Sequence, residues 1–252
     1  MKKKVAVLLC TPLLLLTPMM VQAASSQPDG AVCFFDPEQP PAPATIVGSG
    51  TIVGTPGDDV IVGSPGPDTI LGLGGNDIIC GNGGNDRIDG GPGDDILVGD
   101  NGETGPPPFS ATGSNDTLIG GPGDDTLIGL AGNDTMLGGD NDDTLIGFGG
   151  NDRAFGGPGD DTIFGGPGQD LISGDAGDDT LFGNFGSDTI LGGLGDDFIN
   201  GDNPNQGEPP GGPGSNFDTC LGGPGNNQVF NCEAGDPSVP LPPQGSDQTG
   251  GG

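Results

Sequence analysis

Aspartate recurs every nine residues through most of this 252-residue chain: Asp59, Asp68, Asp77, Asp86, Asp95, Asp116, Asp125, Asp134, Asp143, Asp152, Asp161, Asp170, Asp179, Asp188, Asp197 and Asp218. The spacing lengthens twice, each time by twelve residues, between Asp95 and Asp116 and between Asp197 and Asp218. A row of carboxylates can do acid–base chemistry or can hold cations. The chain has no His and no Tyr, which removes a histidine base and the Ser-His-Asp and Cys-His relays. A carbohydrate-active enzyme working with two carboxylates is the remaining catalytic alternative. The periodic aspartates do not suit it. The acids outside the period (Glu38, Glu103, Glu208 and Glu233) fall in loops or tails with no apolar pocket evident. The expectation is that the chain is not an enzyme and that its aspartates hold ions. Gly-rich turns around them expose backbone carbonyls. Carboxylate and carbonyl oxygens without imidazole or thiolate suit a hard cation, and a relaxed ligand number favours Ca²⁺ over Mg²⁺.

These aspartates must be placed by elements that repeat with them. Units such as GTPGDDVIV from Gly54, GGPGDDTLI from Gly120 and GGPGDDTIF from Gly156 carry Gly at position one and Asp at position six. Seventeen units run from Gly54 to Gly222, the last with Asn227 at position six. Positions one to six are rich in Gly, Pro, Asn and Asp, which tolerate positive φ and close backbone approach, so they predict a turn. Positions seven to nine favour a short strand, with position eight pointing inward and its neighbours outward. Position eight runs Ile61, Ile70, Ile79, Ile88, Leu97, Leu118, Leu127, Met136, Leu145, Ala154, Ile163, Ile172, Leu181, Ile190, Ile199, Cys220 and Val229. Two units per coil close the path into about eight coils, a roll roughly 40 Å long at ~4.8 Å per strand. The expected fold is all-β, a right-handed parallel β-roll (β-solenoid) of about 17 nonapeptide units. One medium apolar residue per nine makes a thin core for a Gly-rich chain, so a further stabilising agent is required.

The pattern resembles the RTX (hemolysin-type) nonapeptide repeat, GGxGxDxUx, from about Thr51 to Phe230, about 70% of the chain. The resemblance implies a calcium-loaded parallel β-roll in which position-six carboxylates and turn carbonyls bind Ca²⁺ between successive coils. That role carries to the sixteen aspartates named above; Asp116 and Asp218 stand in altered turns. If each ion bridges a unit and the unit two later, seventeen units allow up to about 15 ions. The charge fits such a load. Formal net charge is −31, and beyond the first 23 residues only Arg87 and Arg153 oppose 36 acidic residues, giving −34. So acidic a surface excludes nucleic acid and anionic membrane as partners.

The ends read differently. Residues 1–23 have the form of a secretory signal peptide: Lys2, Lys3 and Lys4, an apolar run, and a small residue at Ala23. The segment is short and broken by Pro12 and Pro18, so no stable membrane insertion is expected. Residues 24–50 form a Pro-rich N-terminal cap with Cys33, 51–232 the roll, and 233–252 a Pro/Gly tail of disordered composition. Cys33, Cys80, Cys220 and Cys232 suggest two disulfides in an exported protein, and sequence proximity favours Cys33–Cys80 and Cys220–Cys232.

The expected location is extracellular, with the cell surface or periplasm as alternatives, and the expected role is structural or adhesive. The two inserted loops, about 101–113 and 203–214, fall in even-numbered units and should leave the same side of the roll. Fourteen of seventeen position-nine residues are apolar or Cys, although they should face solvent. Thr126-x-Ile128, Thr144-x-Ile146, Thr162-x-Phe164 and Thr180-x-Phe182 would stack into one ladder. That ladder supports an alternative function, a calcium-dependent module binding a cell-wall polymer or ice, with an extracellular protein or polysaccharide as partner.

Overall fold

The computed structural model describes residues 45–100, 113–201 and 218–232 with their side chains, and the backbone of Val32–Cys33, Ala42–Pro43 and Asp202. Among these residues there is no helix. The chain winds as a parallel β-solenoid of about eight turns, with every even unit in one sheet and every odd unit in the other. The nine-strand sheet stacks Thr51–Val53, Thr69–Leu71, Arg87–Asp89, Thr117–Pro122, Thr135–Asp140, Arg153–Pro158, Leu171–Ala176, Thr189–Leu194 and Thr219–Leu221. The ten-strand sheet stacks Ile46–Val47, Val60–Val62, Ile78–Asn82, Ile96–Asp100, Thr126–Ala131, Thr144–Gly149, Thr162–Gly168, Thr180–Gly186, Phe198–Asp202 and Gln228–Phe230. The stacking thus reaches back to Ile46, which pairs with Ile61.

Register repeats like residue on like. Leu127, Leu145, Ile163, Leu181 and Ile199 pair in sequence, each two units from the last. Position eight points into the roll as the two-residue strand period requires. These residues from both sheets, Ile52 through Ile199, form one buried cluster. Val229 departs: it is 36% exposed, because the last strand of the ladder has no further coil to cover it.

Position nine departs near the N-terminal end of the ten-strand sheet, which corrects there the expectation that it faces solvent. Val62, Cys80 and Val98 are buried in a second cluster on the outer face of the ten-strand sheet. Val62 and Cys80 lie under the N-terminal segment, where Val32–Cys33 pairs antiparallel with Ala42–Pro43 and packs against strands Val60–Val62 and Ile78–Asn82, and Ile78, Ile96, Ile128 and Leu130 pack against the same cluster. Apolar side chains in register are what such a cover requires. Cys220 and Cys232 are bonded to each other, with Cα atoms 5.9 Å apart. Cys80 is also in a disulfide, while the side chain of Cys33, its expected partner, lies outside the described residues. So do residues 1–31, with the expected signal peptide, residues 101–112 and 203–217 of the inserted loops, and residues 233–252 of the tail. The flanks of both loops are described. Each loop leaves the ten-strand sheet, after Asp100 and Asp202, and re-enters the nine-strand sheet, so both emerge on one edge of the roll.

Candidate metal centre

The turns between the two sheets hold every position-six aspartate at a similar depth. All sixteen aspartates of the series are buried, with side chains at most 8% exposed. Burying a row of carboxylates is costly unless each oxygen meets a donor or a cation. One oxygen of each pair does meet a donor. Oδ1 of Asp77 accepts the backbone N–H of Asp59 at 2.8 Å, Oδ1 of Asp143 that of Asp125 at 2.8 Å, and Oδ1 of Asp197 that of Asp179 at 3.1 Å. The rule holds along both edges, each N–H donating to the carboxylate one coil further on. The sequence expectation of stacked carboxylates is met, but these inter-coil hydrogen bonds are an addition. Nothing in the spacing distinguishes them from simple stacking.

The other oxygen is the informative one. Oδ2 of Asp77, Asp86, Asp95, Asp116, Asp125, Asp134, Asp143, Asp152, Asp161, Asp170, Asp179 and Asp197 is buried and has no hydrogen-bond partner. Burial raises these carboxyls above their ordinary value of 3.8. Asp134, Asp143 and Asp170 reach about 8, Asp86, Asp95, Asp116 and Asp179 about 7, and Asp125, Asp152 and Asp161 about 6. In each case desolvation is the largest cause, opposed by the backbone hydrogen bond. A negative charge held here needs a partner that the chain's own donors do not supply.

The space beside Oδ2 is oxygen-lined. A Cβ added to Gly147 would meet the carbonyl oxygen of Gly165 at 2.6 Å, with Oδ2 of Asp152 nearer still. The same pair of oxygens faces Gly120, Gly138, Gly165, Gly174 and Gly192. This explains why position one is always Gly: carboxylate and next-coil carbonyl converge on the volume a side chain would fill. Among the described residues no three acidic or Cys side chains cluster tightly enough to hold an ion by themselves. A cation here would therefore complete its shell with backbone carbonyls, the donor set that suits Ca²⁺.

The ends of the ladder are closed differently. Oδ2 of Asp59 accepts the Thr55 N–H at 2.7 Å and its hydroxyl at 2.9 Å, and Oδ2 of Asp68 accepts the Ser64 N–H at 2.6 Å. At the other end, Asn227 replaces Asp. Its Oδ1 accepts the Asp197 N–H at 2.8 Å, and its Nδ2 donates to the Gly223 carbonyl at 3.0 Å. The one unit without a position-six carboxylate is thus an amide cap that satisfies its own turn. The sequence marked Asn227 as an exception without giving this reason.

The comparison with protein families follows the same residues. The RTX calcium-binding nonapeptide repeat, matched as four-copy blocks, covers residues 53–88, 81–103, 110–145, 146–181 and 173–203, together more than half of the chain. No curated protein matches the chain at a significant level. On the repeat, the two-sheet roll and the buried aspartate ladder together, the chain belongs to the RTX calcium-binding nonapeptide-repeat family.

Proposed function

We propose that the protein is an exported calcium-loaded β-roll whose role is structural or adhesive, a rigid surface presented outside the membrane rather than a catalyst. The observation that carries the calcium ladder is the row of twelve buried, unpartnered Oδ2 atoms, nine of them with a carbonyl of the next coil against the same glycine. Asp77 through Asp218 are its ligand residues in this reading. Asp59 and Asp68, already satisfied by Thr55 and Ser64, are its closed end. Calcium supplies the positive charge that lets the carboxylates stay ionised inside the roll, so folding and ion uptake are coupled. Export and an extracellular location are supported by the leader-like residues 1–23 and by the disulfides. The absence of His and Tyr and the assignment of the periodic carboxylates to ions support a non-catalytic role.

The test is far-UV circular dichroism of the full mature chain near neutral pH. The β signal should collapse on adding EDTA and return with excess Ca²⁺. A roll that keeps its signal in chelator at pH 8 would overturn the coupling.

A second reading, the polymer-binding face, is favoured by one observation. Thr126, Thr144, Thr162 and Thr180 stack in register, as do Ile128, Ile146, Phe164 and Phe182. The Phe164 and Phe182 rings lie parallel with centroids 5.0 Å apart. The residues are half-buried by one another rather than fully exposed, giving a flat, ordered outer surface next to the area covered by Val32–Cys33.

A further inference from the structure

The two edges of the roll share a backbone and differ in charge. Turns of odd units pass from the nine-strand to the ten-strand sheet, and turns of even units pass back. In odd units position five is Asp58, Asp94, Asp124, Asp142, Asp160, Asp178 and Asp196, with Asn76 and Asn226 as exceptions. In even units it is never acidic: Asn85, Asn115, Asn133, Asn151 and Gln169 occupy most of it.

Both rows are built by one hydrogen bond. On the odd edge the N–H of Asp160 donates to Oδ1 of Asp142 at 2.9 Å, and that of Asp178 to Asp160 at 2.8 Å. On the even edge the N–H of Asn133 donates to Oδ1 of Asn115 at 2.7 Å, and that of Gln169 to Asn151 at 2.9 Å. The side chains are nearly isosteric, sit at the same place in the turn and are exposed on both edges. Between Asp142, Asp160 and Asp178 on one edge and Asn133, Asn151 and Gln169 on the other, what changes is a unit of negative charge per coil. Beside the first insertion the amide edge gains a carboxylate, the buried Asp100, whose charge acts on Asp86, Asp116 and Asp134. Asp124, Asp142, Asp160 and Asp178 adjoin Asp125, Asp143, Asp161 and Asp179, and Asn151 and Gln169 adjoin Asp152 and Asp170, all position-six aspartates whose Oδ2 is buried and unpartnered. Both twelve-residue insertions emerge from the even, amide-lined edge.

We infer that calcium loads the two edges unequally, the acidic edge binding more tightly and filling first. The inference rests on the calcium ladder proposed above and concerns how that ladder fills. The position-five carboxylate acts through charge on the neighbouring site; it is not itself counted as a ligand. One added unit charge roughly 6 Å from a divalent ion, at the dielectric constant of water, changes affinity by about tenfold. Added salt reduces the difference, because these carboxylates are exposed.

The test uses calcium-saturated crystals of the full mature chain, back-soaked in calcium-buffered solution near half-saturation. Site occupancies are read from anomalous scattering. The expected result is near-full occupancy in the turns of Asp125, Asp143, Asp161 and Asp179, and clearly lower occupancy in those of Asp152 and Asp170, which lie away from Asp100. The quadruple variant D124N/D142N/D160N/D178N should equalise the edges while equilibrium dialysis gives the same ion count at saturation. Equal occupancies in the unmodified chain, or a difference that survives in the variant, overturns the inference while leaving the ladder standing. No ions on either edge of saturated crystals would overturn the ladder itself, and the inference with it.

Discussion

Each interior aspartate of the ladder puts its two carboxylate oxygens to different use. In Asp143, Asp152 and Asp170, Oδ1 joins coils through a neighbour's N–H, and Oδ2 sits beside a next-coil carbonyl with no donor of its own. Glycine at position one is part of this arrangement, because it leaves the oxygens room to converge. Gly147→Ala would place a methyl 2.6 Å from the Gly165 carbonyl oxygen and closer to Asp152 Oδ2, against backbone that cannot yield cheaply. Overpacking of this kind costs about 1–3 kcal/mol. The variant should lose one calcium by equilibrium dialysis and melt several degrees lower. Gly57→Ala is the control, since nothing lies within 4 Å of its added Cβ. It should bind the full complement and keep its melting temperature or raise it slightly. Equal behaviour of the two variants would contradict the cradle.

The strands were almost fully legible, and the reason is the shortness of the repeat. A nine-residue unit leaves one inward side chain per strand, so position eight alone fixes which face is buried, as Leu145 between half-buried Thr144 and Ile146 illustrates. The Asp ladder was legible for the same reason. What the period could not express is whatever differs from unit to unit through contacts made by non-periodic segments. Val62 and Cys80 carry the same outward position as Ile146, yet they are buried under Val32–Cys33. Thr55 and Ser64 close two carboxylates because of their place in the first turns, a role their residue types alone do not announce. The outer ladder of Thr144, Ile146, Phe164 and Phe182 tests the element as a surface. Thr144→Lys points a charged stem away from the core, so calcium uptake and melting should stay near those of the parent. Capture by insoluble cell-wall polymer, if that face is the binding surface, should fall at least tenfold. Unchanged capture by the variant would assign binding elsewhere.

At the scale of the whole molecule the roll carries a set of carboxyls whose protonation and calcium loading exclude each other, and this fixes the sign of its pH dependence. In the metal-free fold ten of the position-six carboxyls, from Asp86 to Asp179, are raised from 3.8 to between about 6 and about 8, chiefly by burial. The folded chain therefore holds protons that the unfolded chain has released across that interval. Proton uptake by the native state makes stability fall as pH rises. The contribution is fully present below about pH 4 and is lost as pH climbs through 6 to 8. In EGTA the chain should accordingly keep more β signal and melt higher at pH 5 than at pH 8. Calcium competes for the same oxygens, so its affinity should rise over that interval as protons leave, and saturating Ca²⁺ should flatten or invert the trend. Exposed acids such as Asp196, held below the ordinary range by the Asn226 backbone N–H and side-chain amide, stay ionised throughout and do not produce this signature. Melting curves from pH 5 to 8, in chelator and in calcium, separate the cases. A metal-free melting temperature that rises with pH would mean the buried carboxyls are already ionised and satisfied without a cation.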